Sequence, residues 1–218
     1  EETDRDTLTM TWMHRGPEDG RLRYPASMAL APSGMLWVAD ASRATLYRFD
    51  PTGALADTLS HPAFSYPFLG GFRGDTLLVL SRGAGALHLV HGRKLVRSVD
   101  LPSGEGLAAA AGPRGIFVKS AGTDPWWGES EDGYIRPLRL ARDSTGRGTS
   151  EASNEAATTG TSEARTGAVV TLDGPVYARR GFLRSWGDSL LSLSGYRPAI
   201  DVVLPGGRLD TLDLRGFD

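Results

Sequence analysis

The sequence predicts an all-β fold: a small or open β-propeller of about four four-stranded antiparallel blades. Three observations carry this. Short apolar runs alternate with clusters of Gly, Pro, Asp and Ser, which is how a meander of strands and tight turns reads. The pattern recurs, with Gly34 and Gly74 40 residues apart and Gly74 and Gly115 41 apart. A period near 40 with four strands in each period is the mark of propeller blades. The competing all-β arrangement is a β-sandwich in which this spacing has no meaning.

The chain is read as one domain over residues 1–218, opening with an N-terminal strand and loop over 1–23. Thr7–Met13 alternates Thr with large apolar residues, as a strand with one buried face does, and is expected to pair with the last blade and hide its edge. The first blade is Tyr24–Leu59. Its runs are Ala26–Ala31, Met35–Ala39, Ala44–Phe49 and Ala54–Leu59, parted by Pro32-Ser33-Gly34, Asp40–Arg43 and Asp50-Pro51-Thr52-Gly53.

The second blade opens with Tyr66-Pro67-Phe68, echoing Tyr24-Pro25-Ala26, and continues through Thr76–Ser81, Ala86–Val90 and Lys94–Leu101. The third runs through Gly106–Ala111, Ile116–Ser120, Tyr134–Leu140 and Ala168–Leu172. Gly115 and Gly187 are 72 residues apart, so this blade carries roughly 30 more residues than one period of its kind. They fall in Ala121–Gly133 and in Arg142–Gly167. The latter is almost wholly Ser, Thr, Gly, Ala, Glu and Arg, cannot build a core, and is read as a low-complexity insertion in the third blade. Deleting Ser144–Thr166 is expected to leave the fold intact, because loop length costs little entropy. Val176–Arg184, Ser189–Ser194, Ala199–Leu204 and Arg208–Leu214 make the fourth blade.

Pro25, then Ala31–Asp40 (APSGMLWVAD), then Leu46–Gly53 (LYRFDPTG) resemble the NHL repeat and related six-bladed propeller families. The resemblance is close over this unit, partial over the second and fourth, and weak over the third. It implies a propeller and gives Asp40 a structural place, capping a turn. A six-bladed member needs more chain than this, hence four blades here.

Composition narrows the function classes. A net charge of −2 offers no basic stripe for phosphates, so no nucleic-acid partner is expected. There is no Cys, which removes disulfides, thiolate metal sites and thiol nucleophiles. No apolar run approaches the ~20 residues that span a bilayer. The chain begins Glu1-Glu2, which reads as a processed, exported protein. Of 24 basic residues only Lys94 and Lys119 are Lys.

The four histidines are His14, His61, His88 and His91, and none shows metal-ligand spacing. His88 and His91 lie three apart, so they point to opposite faces of a strand. Asn154 is the only Asn and there is no Gln, which leaves few carbonyl side chains for a Ca²⁺ shell. Asp40, Asp75, Asp124 and Asp188 are the carboxylates such a shell could draw on, but Asp75 and Asp188 sit in Gly-Asp turns, where local backbone bonding accounts for them. No Gly-x-Ser-x-Gly elbow, phosphate loop or His-Glu-x-x-His occurs.

These readings lead to a non-enzymatic interaction protein without a cofactor or metal. The alternative is a propeller hydrolase or lyase with a divalent ion on its axis. The candidate partner-binding residues are Asp124, Pro125, Trp126 and Trp127, because adjacent aromatics in a Pro/Gly-bounded loop offer a contact patch. The opposing possibility is that these Trp side chains cap a blade core. The expected role is an exported (periplasmic or extracytoplasmic) accessory subunit bound to other proteins at the outer face of a membrane complex, photosynthetic or respiratory being concrete candidates.

Overall fold

The computed structural model describes residues 12–13, 22–101, 108–120, 133–138, 169–172, 179, 181–194 and 196–214. They form sixteen strands: β1 (Pro25–Leu30), β2 (Leu36–Asp40), β3 (Thr45–Phe49), β4 (Leu55–Ser60), β5 (Pro67–Arg73), β6 (Thr76–Ser81), β7 (Ala86–His91) and β8 (Lys94–Asp100), followed by β9 (Ala108–Gly112), β10 (Gly115–Ser120), β11 (Gly133–Leu138), β12 (Val170–Leu172), β13 (Gly181–Trp186), β14 (Ser189–Ser194), β15 (Ala199–Val203) and β16 (Leu209–Asp213). Each consecutive set of four is one antiparallel sheet in chain order, giving the four blades of a propeller. The sandwich alternative is thereby set aside.

The turn glycines that set the repeat earn their place. Gly34, Gly74, Gly115 and Gly187 all have positive φ, at 81°, 56°, 131° and 54°, a region that costs a residue with a Cβ. The fourth blade differs from its sequence reading. β13 is described over Gly181–Trp186, pairing Trp186 with Ser189 across a two-residue Gly187-Asp188 connection, while Val176, Tyr177 and Ala178 of the expected strand lie outside the described residues. The sequence reading ends this strand at Arg184; the tight hairpin extends the ladder through Ser185 and Trp186.

Side-chain alternation gives every blade two apolar faces, and these make the core. Ala29, Trp37, Ala39 and Leu46 of blade one meet Leu69, Leu77, Val79 and Val90 of blade two, with Phe64 between them. Leu78, Leu80 and Leu87 on the other side of blade two meet Ala109, Ala111, Ile116 and Val118 of blade three. Ala108, Ala110, Phe117 and Ile135 then meet Leu183, Leu190 and Val203 of blade four. The innermost strands pack in the same succession, β1 on β5, β5 on β9 and β9 on β13.

These inner strands are rich in small residues, which lets four of them crowd one axis. A Cβ on Gly70 would lie 2.8 Å from the Ala109 carbonyl oxygen and 3.1 Å from the Leu78 Cβ. Blades four and one share no corresponding core among the described residues. Their outward faces leave Phe182, Trp186 and Leu212 exposed on one side and Met28 and Leu30 on the other. Blade one covers part of its face with Leu22, Val38, Tyr47 and Phe49. Trp12 stacks near Phe49, with ring centroids 6.1 Å apart. Trp12 is thus held on blade one; Thr7–Thr11, the rest of the strand expected to pair with the last blade, lie outside the described residues.

Candidate functional site

Where β1 and β5 begin, the repeated Tyr-Pro pair builds one mouth of the axis. A side-chain latch fixes each copy. In blade one the fully buried Asp40 carboxylate accepts from the backbone N–H groups of Arg23, Tyr24, Ser42 and Arg43 and from the Ser42 hydroxyl. Burial pushes this carboxyl up. The donors from Arg23, Tyr24 and Ser42 outweigh that and leave it below its ordinary value. Asp40 is therefore a structural pin, as the repeat resemblance implied.

In blade two the equivalent place is taken by Ser81. Its hydroxyl donates to the Ala63 carbonyl and accepts from the Ser65 N–H. The backbone follows suit, Ala41 N–H bonding the Tyr24 carbonyl and Arg82 N–H that of Tyr66.

The latches set the aromatic side chains. The Tyr24 and Tyr66 rings lie 6.0 Å apart and the Tyr66 and Phe68 rings 5.8 Å apart. Tyr66 has φ of 53°, uncommon for a residue with a Cβ and a form of strain that clusters at functional positions. The hydrogen bond between the Tyr24 and Tyr66 hydroxyls, with some burial, raises the Tyr66 phenol. The Arg82 guanidinium lies 3.5 Å above the centre of Phe68. Burial lowers its pKa to about 10, against the opposing pull of Tyr66 and Tyr24. A basin of about 780 Å³ opens here, lined by Ser42, Ala44, Pro62, Phe64, Tyr66 and Arg82 among others.

Arg82 borders a second space as well. With Ser27, Phe68, Leu80, Phe182 and Arg184 it lines a narrow axial cavity of about 10 Å³. Arg184 donates from Nη1 to the Leu183 carbonyl at 3.0 Å and lies 5.7 Å from the centre of the Phe182 ring. Burial lowers its pKa too.

A second polar focus lies between blades three and four. Lys119 is 1% exposed and its Nζ donates to the Ser192 hydroxyl at 2.8 Å. Burial draws the ammonium down to about 8; the nearby Asp201 charge opposes this and Arg197 reinforces it. Asp201 is held by Arg197 at 2.8 Å and by the Thr211 hydroxyl at 3.1 Å.

The residues singled out from the sequence fare unevenly. Asp124, Pro125, Trp126 and Trp127 lie outside the described residues, as does the 142–167 insertion. His88 and His91 diverge as expected, His88 buried and His91 exposed. The His88 Nδ1 lies 2.8 Å from the Ser98 hydroxyl. Among the described residues no three of His, Asp and Glu converge as a metal-binding group. Sequence reasoning missed the Arg82–Arg184 pair and Lys119. The repeated Tyr-Pro was the one signal of the mouth visible along the chain.

No protein-family model matches the chain, so membership of the NHL family is not established. No curated protein is similar in sequence either. Solved structures are similar in fold. Virginiamycin B lyase from Staphylococcus aureus superposes with a TM-score of 0.55 at 11% identity, over 88% of this chain and 56% of that one. A streptogramin B lyase gives 0.54 at 14% identity, over 88% and 55%. A protein from Lactobacillus plantarum gives 0.50 at 13% identity, over 87% and 55%. The chain therefore spans a little over half the length of each. At these identities the likeness is one of propeller fold and carries no activity across.

Proposed function

We propose that this chain is a non-catalytic interaction module whose axial mouth holds a protein partner. The observation carrying this reading is the constellation of Tyr24, Tyr66, Phe68 and Arg82 beside an open basin. Tyr and Arg in a preset, partly desolvated cluster are the side chains that dominate protein contacts. Two latched loops fix them, so little ordering entropy remains to oppose binding. The module works as an exported, membrane-extrinsic accessory subunit of a larger complex, of which a photosynthetic or respiratory assembly is one form. Asp124, Pro125, Trp126 and Trp127 add a second contact. No helix among the described residues is long and apolar enough to cross a membrane.

The test is purification from native membranes under mild detergent. The wild type is expected to travel with a larger assembly. Tyr66→Ala with Arg82→Ala, and separately Trp126→Ala with Trp127→Ala, are expected to release it while leaving it folded. A wild-type chain that runs free throughout, or variants that associate unchanged, overturn the reading. A stoichiometric Ca²⁺ or Zn²⁺ in the purified protein would favour the hydrolase or lyase alternative instead.

A further inference from the structure

The turn that delivers Tyr66 to the mouth is built around two histidines. Phe64 is buried between blades one and two, and the rings of His61 and His88 are centred 5.5 Å and 5.8 Å from its own. The His61 Nδ1 accepts the Ala63 N–H at 3.1 Å, so this nitrogen carries no proton while the turn is closed. The next residues are tied to the end of β6. The Ser81 hydroxyl accepts the Ser65 N–H at 3.2 Å and donates to the Ala63 carbonyl at 2.8 Å, and the Gly83 N–H bonds the Ser65 carbonyl at 3.0 Å. Tyr66 follows directly, with its φ of 53°.

His88 lies on β7, buried, with its Nδ1 2.8 Å from the Ser98 hydroxyl of β8. Burial disfavours its cation most, and charge on His61 adds to this; the Ala63 backbone and Asp100, at the end of β8, pull the other way without restoring the ordinary value. Arg82, in the turn after β6, holds its guanidinium over Phe68. We propose that His61 and His88 form an acid-sensitive switch for the mouth, in which protonation of the pair releases the Ala63–Tyr66 turn and dissolves the preset arrangement of Tyr24 and Tyr66. A proton on the His61 Nδ1 turns an acceptor into a donor aimed at the Ala63 N–H. A proton on His88 buries a cation, with the first one across the Phe64 ring. Both charges meet water when the turn lifts, and the left-handed Tyr66 backbone relaxes with it. The open turn takes up protons first, so the closed form holds at neutral pH and gives way below about 6.5. The consequence for binding rests on the interaction reading above; the opening of the turn does not.

Native-state amide exchange of the full chain at about pH 7.5 and about pH 5.5, corrected for the intrinsic pH dependence of exchange, tests this. Protection at Ala63, Phe64, Ser65 and Gly83 is expected to fall at least about tenfold at the lower pH, the change that one histidine contributes over one pH unit below its open-form value. Val79 in β6 and Val118 in β10 are expected to keep theirs. His61→Asn places a side-chain oxygen where it accepts the same N–H without titrating, and His88→Phe removes the other proton site. Each is expected to reduce the pH effect and the pair to abolish it.

Protection in the turn that is unchanged between the two pH values, or lost only together with that of Val79 and Val118, overturns the proposal. So does a folded double variant that keeps the wild-type pH dependence. The wild-type comparison decides even if a variant does not fold. In the native assembly the wild type is expected to dissociate at about pH 5.5 and the double variant to stay bound; equal release of both overturns the switch. A wild-type chain without any partner at about pH 7.5 overturns the interaction reading alone, and the exchange result then decides the switch.

Discussion

Replacing Lys119 by Met removes a charge from the interface of blades three and four. The side chain is 1% exposed, and its pKa falls from 10.5 to about 8. At about 1.4 kcal/mol per pH unit, keeping the ammonium in that place costs on the order of 3 kcal/mol below pH 8. Met has a similar stem and fills the same apolar path. The substitution leaves the Ser192 hydroxyl without its donor, a loss of about 1 kcal/mol. Asp201 keeps Arg197 and Thr211.

Lys119→Met is therefore expected to stabilise the protein by about 1–3 kcal/mol at neutral pH. The pH dependence follows from the direction of the shift. Between the folded value of about 8 and the ordinary 10.5 the unfolded chain binds the extra proton. Wild-type stability accordingly gains with rising pH across that window and the variant lacks this gain, so the two converge. Chemical denaturation at pH 7 and at about pH 10 measures both quantities. A variant less stable at pH 7, with a constant gap to the wild type at high pH, would show that the pairing with Asp201 outweighs desolvation and would refute the reasoning.

Three further perturbations follow from the packing. His88 is buried and its pKa is lowered chiefly by that burial; the unfolded chain takes up a proton first, so stability is expected to fall as pH drops below about 6.5. His88→Phe is expected to flatten that loss in urea titrations between about pH 7 and 5. Asp40→Ala strands the buried amides that the carboxylate latches and is expected to cost about 2–4 kcal/mol; a midpoint within experimental scatter of the wild type would contradict the latch. Gly70→Ala places a Cβ 2.8 Å from the Ala109 carbonyl oxygen, so the inner strands must part, at a cost of about 1–3 kcal/mol. Equal stability there would mean that β5 and β9 are not in close contact.

What the sequence determined by itself was local and repetitive. Turn glycines, Pro-bounded apolar runs and strict alternation specify hairpins through the few residues they contain, so four meanders and the 40-residue period were readable along the chain. Asp40 was legible as a turn residue for the same reason, most of its donors lying within a few positions or just before the blade.

The tertiary structure alone decided what faces what. Lys119 meets Ser192 across 73 positions, and Arg82 and Arg184 line one cavity to which four blades contribute. Neither pairing has a sequence period, because both arise only when innermost strands curve around one axis. The same packing decided that successive blades from one to four bury each other's faces, while among the described residues blades four and one share no core. Alternation records that a strand has two apolar sides; which neighbour covers each is set by the assembled sheets.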